Sequence, residues 1–250
     1  MSAYGRFAVD YDLLFDDVEL RLGTTTPGVR AVLSGLRAGS RVLDAACGIG
    51  LDATWLARRG IGVTAADASA AMVAATRARL DDVGCAAEVV ECTWLDLPGR
   101  LPVGSFDVVL CVGNSISHCP DEATTVAVLR AFHRMLAPGG VLVLDTHHWE
   151  VLAEQGDIDE LDSTVIERRG RRVQRRYRWH WSSDRRRCDI TFVIEDEAGA
   201  VVSQHTVTQQ PFTVGALTEL VRAAGLTEIW FDAHPDADRY TVTGRAPVDV

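Results

Sequence analysis

The chain has 250 residues, 47% of them apolar and 24% charged, with a formal net charge of −10 at pH 7. This is a globular composition, long enough for one domain with an inserted lobe and short for two independent domains. All 25 basic residues are arginine, which excludes a Schiff-base lysine, a phosphate-loop lysine and a lysine general base. The acidic balance argues against nucleic acid and against a membrane surface as partner. No apolar run approaches the length of a membrane span, and the N-terminal MSAYGRFAVDYDLLF lacks the pattern of a signal peptide, so the expected location is cytoplasmic. The six cysteines fall singly, without a CxxC pair; they are expected to be reduced and mostly buried, and no metal site is expected.

In chain order, RVLDAAC from Arg41 reads as a buried strand, and GIGLDATWLARRG as a turn opening a helix with Ala53, Leu56 and Ala57 on one face. GVTAAD, AAEVVEC, FDVVLCVG and VLVLDTH follow as strands, with helices over SAAMVAATRARLDDVG and TTVAVLRAFHRMLAPGG between them. Strands alternating with helices predict right-handed crossovers and a doubly wound, mostly parallel α/β sheet. From 163 to 208 the period changes to two, in TVIERRG, RVQRRYRWHW, CDITFVIEDEAG and AVVSQHTVTQ, which predicts an antiparallel meander. TVGALTELVRAAG is then an amphipathic helix, and TEIWFDAHPDADRYTVTGR a final antiparallel pair. The expected plan is an N-terminal segment over 1–40, an α/β core from 41–150 and 209–250, and an antiparallel lobe over 151–208.

The most informative stretch is VLDAACGIGLDA, residues 42–53. It puts Asp44 at the end of the first strand and Gly48 and Gly50 in the turn that follows, where glycine lets the backbone approach a ligand closely. Gly48, Gly50 and Ala53 also satisfy the GxGxxG/A dinucleotide pattern, so a nicotinamide-dependent oxidoreductase stays open. Asp67 ends the next strand, where a carboxylate can accept two hydrogen bonds from a ribose. Acids at 44 and 52 surround the turn with negative charge, which suits a cationic cofactor better than a pyrophosphate.

VLDAACGIG, the acid in TAADAS, FDVVLCVGNSISH and LAPGGVLVLD together resemble the class I S-adenosylmethionine-dependent methyltransferases. Within them, VLDAACGIGLDA, ECTWLDL and CVGNSISHCPD are similar to the glycine N-methyltransferase and glycine/sarcosine methyltransferase family. The resemblance implies a seven-stranded Rossmann-like sheet and S-adenosyl-L-methionine as cofactor, with S-adenosyl-L-homocysteine as product. It implies that Ala46, Gly48 and Gly50 line the methionine part, that Asp67 holds the ribose with Ala68 beside it, and that Met72 packs against adenine. Thr93 and Trp94 would lie along the adenine, Cys111 would set its backbone near the methionine ammonium, and Arg21 would grip the methionine carboxylate. Asp44 would belong to the same site.

For the acceptor, the resemblance implies a small molecule, most specifically an amine nitrogen of glycine, sarcosine or a related amino acid. N- or O-methylation of a secondary metabolite is the alternative. Asn114 and His118, in the GNSISH turn after the fourth strand, stand at the carboxyl edge where open α/β sheets bind ligands, and the resemblance puts them near the acceptor. A histidine there could take the proton of an ammonium acceptor, although amines also deprotonate to water. Tyr11 lies in a segment that folds over the cofactor in such enzymes and would shield the reacting methyl. In the arginine-dense stretch 168–187, strand parity sets Val173, Arg175, Tyr177, Trp179 and Trp181 on one face and Gln174, Arg176, Arg178 and His180 on the other. That pattern reads as a packed face backed by solvated arginines; in the family reading one arginine, for which Arg178 is the candidate, holds a carboxylate of the acceptor. A homo-oligomer is left open.

Overall fold

The computed structural model describes residues 10–14, 26–168, 170–234 and 237–248. Strands β1 (Arg41–Asp44), β2 (Gly62–Asp67), β3 (Glu88–Glu91), β4 (Phe106–Cys111), β5 (Leu136–His147), β10 (Thr227–Asp232) and β11 (Arg239–Arg245) form one sheet in the order β10-β11-β5-β4-β1-β2-β3. The five strands from β1 to β5 run parallel, and β11 inserts antiparallel between β5 and β10. Helices α1 (Pro27–Ser34), α2 (Leu51–Ala57), α3 (Ala70–Asp82), α4 (Leu97–Arg100), α5 (Glu122–Met135), α6 (Trp149–Gln155) and α7 (Val214–Ala223) complete the core.

Period-2 alternation in the central strands divides the buried residues into two layers. Leu43, Val109, Leu142 and Leu144 pack with Leu129 and Phe132 of α5 and Leu217 and Val221 of α7. Val42, Val108, Leu110 and Val143 pack on the opposite face with Val29 and Leu33 of α1 and Ala53 and Leu56 of α2. Apolar residues on both faces of one strand are what a doubly covered sheet demands, and they make β1 and β4 read as continuous apolar runs. Side chains cap the starts of α5 and α7: Asp121 accepts from Thr124 N at 2.7 Å, and Thr213 accepts from Ala216 N at 3.0 Å.

The second sheet is a meander of β6 (Ile158–Arg168), β7 (Arg171–Trp181), β8 (Cys188–Asp196) and β9 (Val201–Gln209). Its inner face carries Val173, Arg175 and Trp181, all buried, with Tyr177 and Trp179 half-buried between them. Arg178 and His180 face out. β6 begins at Ile158, several residues before the alternation seen in TVIERRG. The residues IDELD carry no period-2 apolar pattern. Cross-strand charge pairing defines the strand instead, with Asp159 opposite Arg178 and Asp162 opposite Arg175. Acids of β6 thus neutralise arginines of β7, and Glu195 of β8 adds a bond to Arg176 at 2.9 Å. A short helical turn, Tyr11–Leu14, docks Leu13 and Leu14 on this lobe against Ile166, Val173 and Ile194.

Candidate active site

β1 ends on Asp44 in the middle of the sheet, flanked by β2 and β4, and its carboxyl edge leads into the glycine turn. Gly50 is the N-cap of α2 with φ +79°, and a Cβ there would stand 2.8–3.0 Å from Thr76, so the position excludes side chains twice over. Gly48 has φ +53°, and a Cβ on it would meet only the Tyr11 ring, at 3.9 Å. Thr76 fixes the turn from below by donating to Gly48 O at 2.8 Å. Asp67, at the end of β2, fixes it from the side: Oδ2 accepts from Gly48 N at 3.0 Å and Oδ1 from Ser69 N at 2.8 Å. Each carboxylate oxygen retains a lone pair for a ligand hydroxyl. Burial raises the Asp67 pKa, and the backbone N–H donors of Ser69, Gly48 and Ala68 work against that rise.

These elements bound a cavity of about 480 Å³, within the range of small-molecule sites. One half is walled by Ala45, Ala46, Gly48, Asp67, Ala68, Ser69, Met72, Thr93 and Trp94, and Tyr11 also lines it. Tyr11 packs with Ile49, Leu51 and Met72 on the core side and with the Leu13–Leu14 cluster on the lobe side, so it joins the two. Trp94 is held by a bond from Nε1 to Ala45 O of 2.7 Å and by an edge contact with Phe132, while the Thr93 hydroxyl donates to Asp96 at 2.7 Å. The other half is walled by Gly113, Ser115 and His118 from the turn after β4 and by Thr206, Val207 and Thr208 of β9.

The turn after β4 is held as the glycine turn is, by a carboxylate at a strand end. Asp145 of β5 accepts from Gly113 N at 2.6 Å and is itself gripped by both Nε and Nη2 of Arg239. Asn114 stands beside it in the left-handed region, φ 66°, and its side chain points into the protein. Its Oδ1 accepts from Ser117 Oγ at 3.1 Å, from the Thr146 hydroxyl and from His147 N at 3.2 Å, while Nδ2 donates to Gln209 Oε1 at 2.5 Å. His118, whose pKa is lowered to about 4 by burial and by nearby His205, lies 3.3 Å from Gln209 through Nε2. A histidine so shifted is neutral at physiological pH and a poor acceptor of an ammonium proton.

Residues 42–140 match the family model described as "Methyltransferase domain". The glycine N-methyltransferase of Rattus norvegicus is 34% identical over 126 residues, covering 46% of this chain and 43% of that one. The ubiquinone biosynthesis O-methyltransferase of Pseudomonas aeruginosa (strain LESB58) is 38% identical over 109 residues, covering 44% and 45%. The matched stretches thus span less than half the length of these curated relatives. A solved sugar N-methyltransferase from Streptoalloteichus sp ATCC 53650 matches with a TM-score of 0.72 and 25% identity, covering 100% of this chain and 97% of that one. Residues 42–140 thus carry a methyltransferase domain, similar to those of the class I S-adenosylmethionine-dependent methyltransferases. The seven-stranded, mostly parallel sheet expected of such a domain is the one observed.

Of the residues expected in the methyltransferase site, Tyr11, Ala46, Gly48, Asp67, Ala68, Met72, Thr93, Trp94 and His118 line this cavity. Asp44, Gly50 and Cys111 do not line it: Asp44 is 1% exposed, Cys111 0%, and Gly50 shapes the turn from within. Asn114, 3% exposed, is a buried hub of the wall and does not line the cavity. Arg178 is on the outer face of the lobe, 3.4 Å from Asp159; the inward arginine is Arg175, as strand parity requires. Arg21 lies outside the described residues. Sequence reasoning missed Thr206, Val207, Thr208 and Gln209 of β9, Asp145 of β5 and Arg239 of β11. Asp145 had a usable signal, an acid at the carboxyl end of a buried strand. The β9 residues had none, since nothing local says which lobe strand meets the core.

Proposed function

We propose that the protein transfers the methyl group of S-adenosylmethionine to an amine nitrogen of a small molecule. The observation that carries this is a continuous cavity in which the Gly48–Asp67 wall stands opposite a second polar wall of His118 and β9, with Tyr11 bridging them. The residues fit the cofactor: Gly48 offers backbone with no side chain, the Asp67 oxygens keep lone pairs for ribose hydroxyls, and Met72 and Trp94 supply apolar surface for a purine. When bound, S-adenosylmethionine supplies an electrophilic methyl on a cationic sulfur. The chain's own residues then have to align the acceptor and keep water out, which is positioning and not covalent chemistry. Tyr11 excludes water from above. With its pKa lowered, His118 is too weak a base to take an ammonium proton, so the amine arrives deprotonated and the proton it sheds after transfer leaves to solvent.

Arg175 bears on the kind of amine. The lobe arginine that would hold an acceptor carboxylate is already committed, with Nη2 2.5 Å from Asp162 and Nη1 donating to Leu14 O at 2.8 Å. That favours an amine without a free carboxylate, such as the amino group of a sugar, over glycine. Glycine or sarcosine is the second reading, favoured by the similarity to glycine N-methyltransferase. An assay with labelled methyl donor over glycine, sarcosine, dimethylglycine, amino-sugar nucleotides, aromatic amines and phenols separates them. Product with an amino sugar or aromatic amine and none with glycine is the expected result. Product only with glycine or sarcosine would reverse the preference, and product only with phenols would overturn N-methylation.

A further inference from the structure

We propose that Gln209 is a positioning residue that holds His118 as its neutral Nδ1–H tautomer, so that His118 serves methyl transfer as a hydrogen-bond donor and not as the base. The proposal rests on the function read above for its catalytic half, whereas the tautomer stands on geometry alone.

Two N–H donors have fixed polarity. The backbone N–H of His147 donates to Asn114 Oδ1 at 3.2 Å, which identifies that atom as the oxygen of the amide. The indole N–H of Trp149 donates to Thr146 Oγ1 at 3.1 Å and lies 3.3 Å from Ser117 Oγ; the two hydroxyls stand 3.2 Å apart, and both reach Asn114 Oδ1, which accepts. Asn114 then has only Nδ2 to present to Gln209, and it meets Oε1 at 2.5 Å. Gln209 therefore turns its own amide nitrogen toward His118 Nε2, 3.3 Å away. An amide N–H can only donate, so Nε2 accepts and the ring hydrogen sits on Nδ1. Protonating His118 would set two donors face to face.

The members are shut from water, with Ser117 and Thr146 at 0% exposure, Trp149 at 2% and Asn114 and Gln209 at 3%. Along Asn114, Gln209 and His118 the direction is fixed, because turning either amide over would set like groups against each other at both of its ends. This polar chain is also the seam between lobe and core, since Gln210 N donates to Ser117 O at 2.7 Å. His205 of β9 is the titratable neighbour of His118, and its protonation would add charge of the same sign.

Long-range proton–nitrogen correlation NMR of the histidine rings tests this, with His118→Asn assigning the resonance. The expected wild-type spectrum shows His118 protonated on Nδ1 and bare on Nε2 at neutral pH. Gln209→Glu keeps the acceptor for Asn114 and replaces the donor facing His118 by an acceptor. In that variant His118 is expected to gain a hydrogen on Nε2, and its titration to move up toward neutrality. A wild-type ring protonated on Nε2, or a variant spectrum identical to wild type, would overturn the proposal; the wild-type spectrum decides the tautomer even if the variant does not fold. With an acceptor in hand, the wild-type rate should follow the ionisation of the amine alone, and Gln209→Glu should lower kcat by roughly tenfold with little change in cofactor affinity, as loss of one oriented hydrogen bond implies. A wild-type profile requiring a neutral histidine as base, with the NMR as expected, would overturn the catalytic half and leave the tautomer standing. Failure to find any methyl acceptor would count against the function and not against the NMR result.

Discussion

The two halves of the cavity are built by different means. The half proposed for the cofactor is organised around backbone, the glycine turn and the start of α3, both pinned by one carboxylate, Asp67, with the side chains of Met72 and Trp94 added to it. The acceptor half is made of side chains from distant places, joined by a bond between Asn114 and Gln209 that spans 95 residues of sequence. Burial drives the ionisable group of each half toward its neutral form, raising the pKa of Asp67 and lowering that of His118. In the cofactor half backbone N–H groups oppose the shift, which suits a carboxylate that must stay charged beside a cationic ligand. A half made of backbone can bind one cofactor, and a half made of side chains can change acceptor without disturbing it.

Removing the pin of the first half is expected to have the largest effect. Asp67→Ala removes two backbone hydrogen bonds to a charged group together with the proposed ribose contact. S-adenosylmethionine affinity should fall by about 100-fold, near 3 kcal/mol, as measured by calorimetry. An unchanged affinity would remove the ribose assignment. Acidification probes the second half. His118 titrates at about 4 in the folded chain against 6.5 for an unperturbed histidine, so between those limits the unfolded state binds more protons and stability falls as pH falls. His147, whose pKa burial holds well below the usual imidazole value, acts in the same direction. The urea midpoint should be highest above pH 6.5 and decline toward pH 4, with His118 contributing roughly 2–3 kcal/mol. The decline should be shallower in His118→Asn.

The joint between the halves is the third target. Arg175→Met frees Asp162 and Leu14 O and loosens the turn that carries Tyr11. Because Asp162 is partly exposed, the loss should be about 2 kcal/mol in urea unfolding, below that of a fully buried pair. Cofactor affinity should weaken with it, and the double variant with Asp162→Leu should recover part of the stability. Smallest of all is Arg178→Ala. Its exposed pairing with Asp159 is on the outer face, so melting temperature and acceptor KM should stay as in wild type. A raised acceptor KM would return Arg178 to the site.

The sequence determined the sheet and the wall of Gly48 and Asp67 because their signals are local. Alternating apolar strands and helices, two glycines in a turn and an acid at the end of the next strand are all short-range, and the physics that reads them needs only the pleat and the turn. In the lobe, parity told the inner face of β7 from the outer, yet which inner side chain meets the core depends on the register of β6 and β9, and both ladders contain an irregularity. Asn114 was legible as an important residue and not as a buried hub, because its partners come from β5 and β9. Tertiary structure alone decided that Arg175 is neutralised by Asp162 and that Gln209 reaches His118. An ion pair or a hydrogen-bond direction exists only once two distant strands have been set side by side.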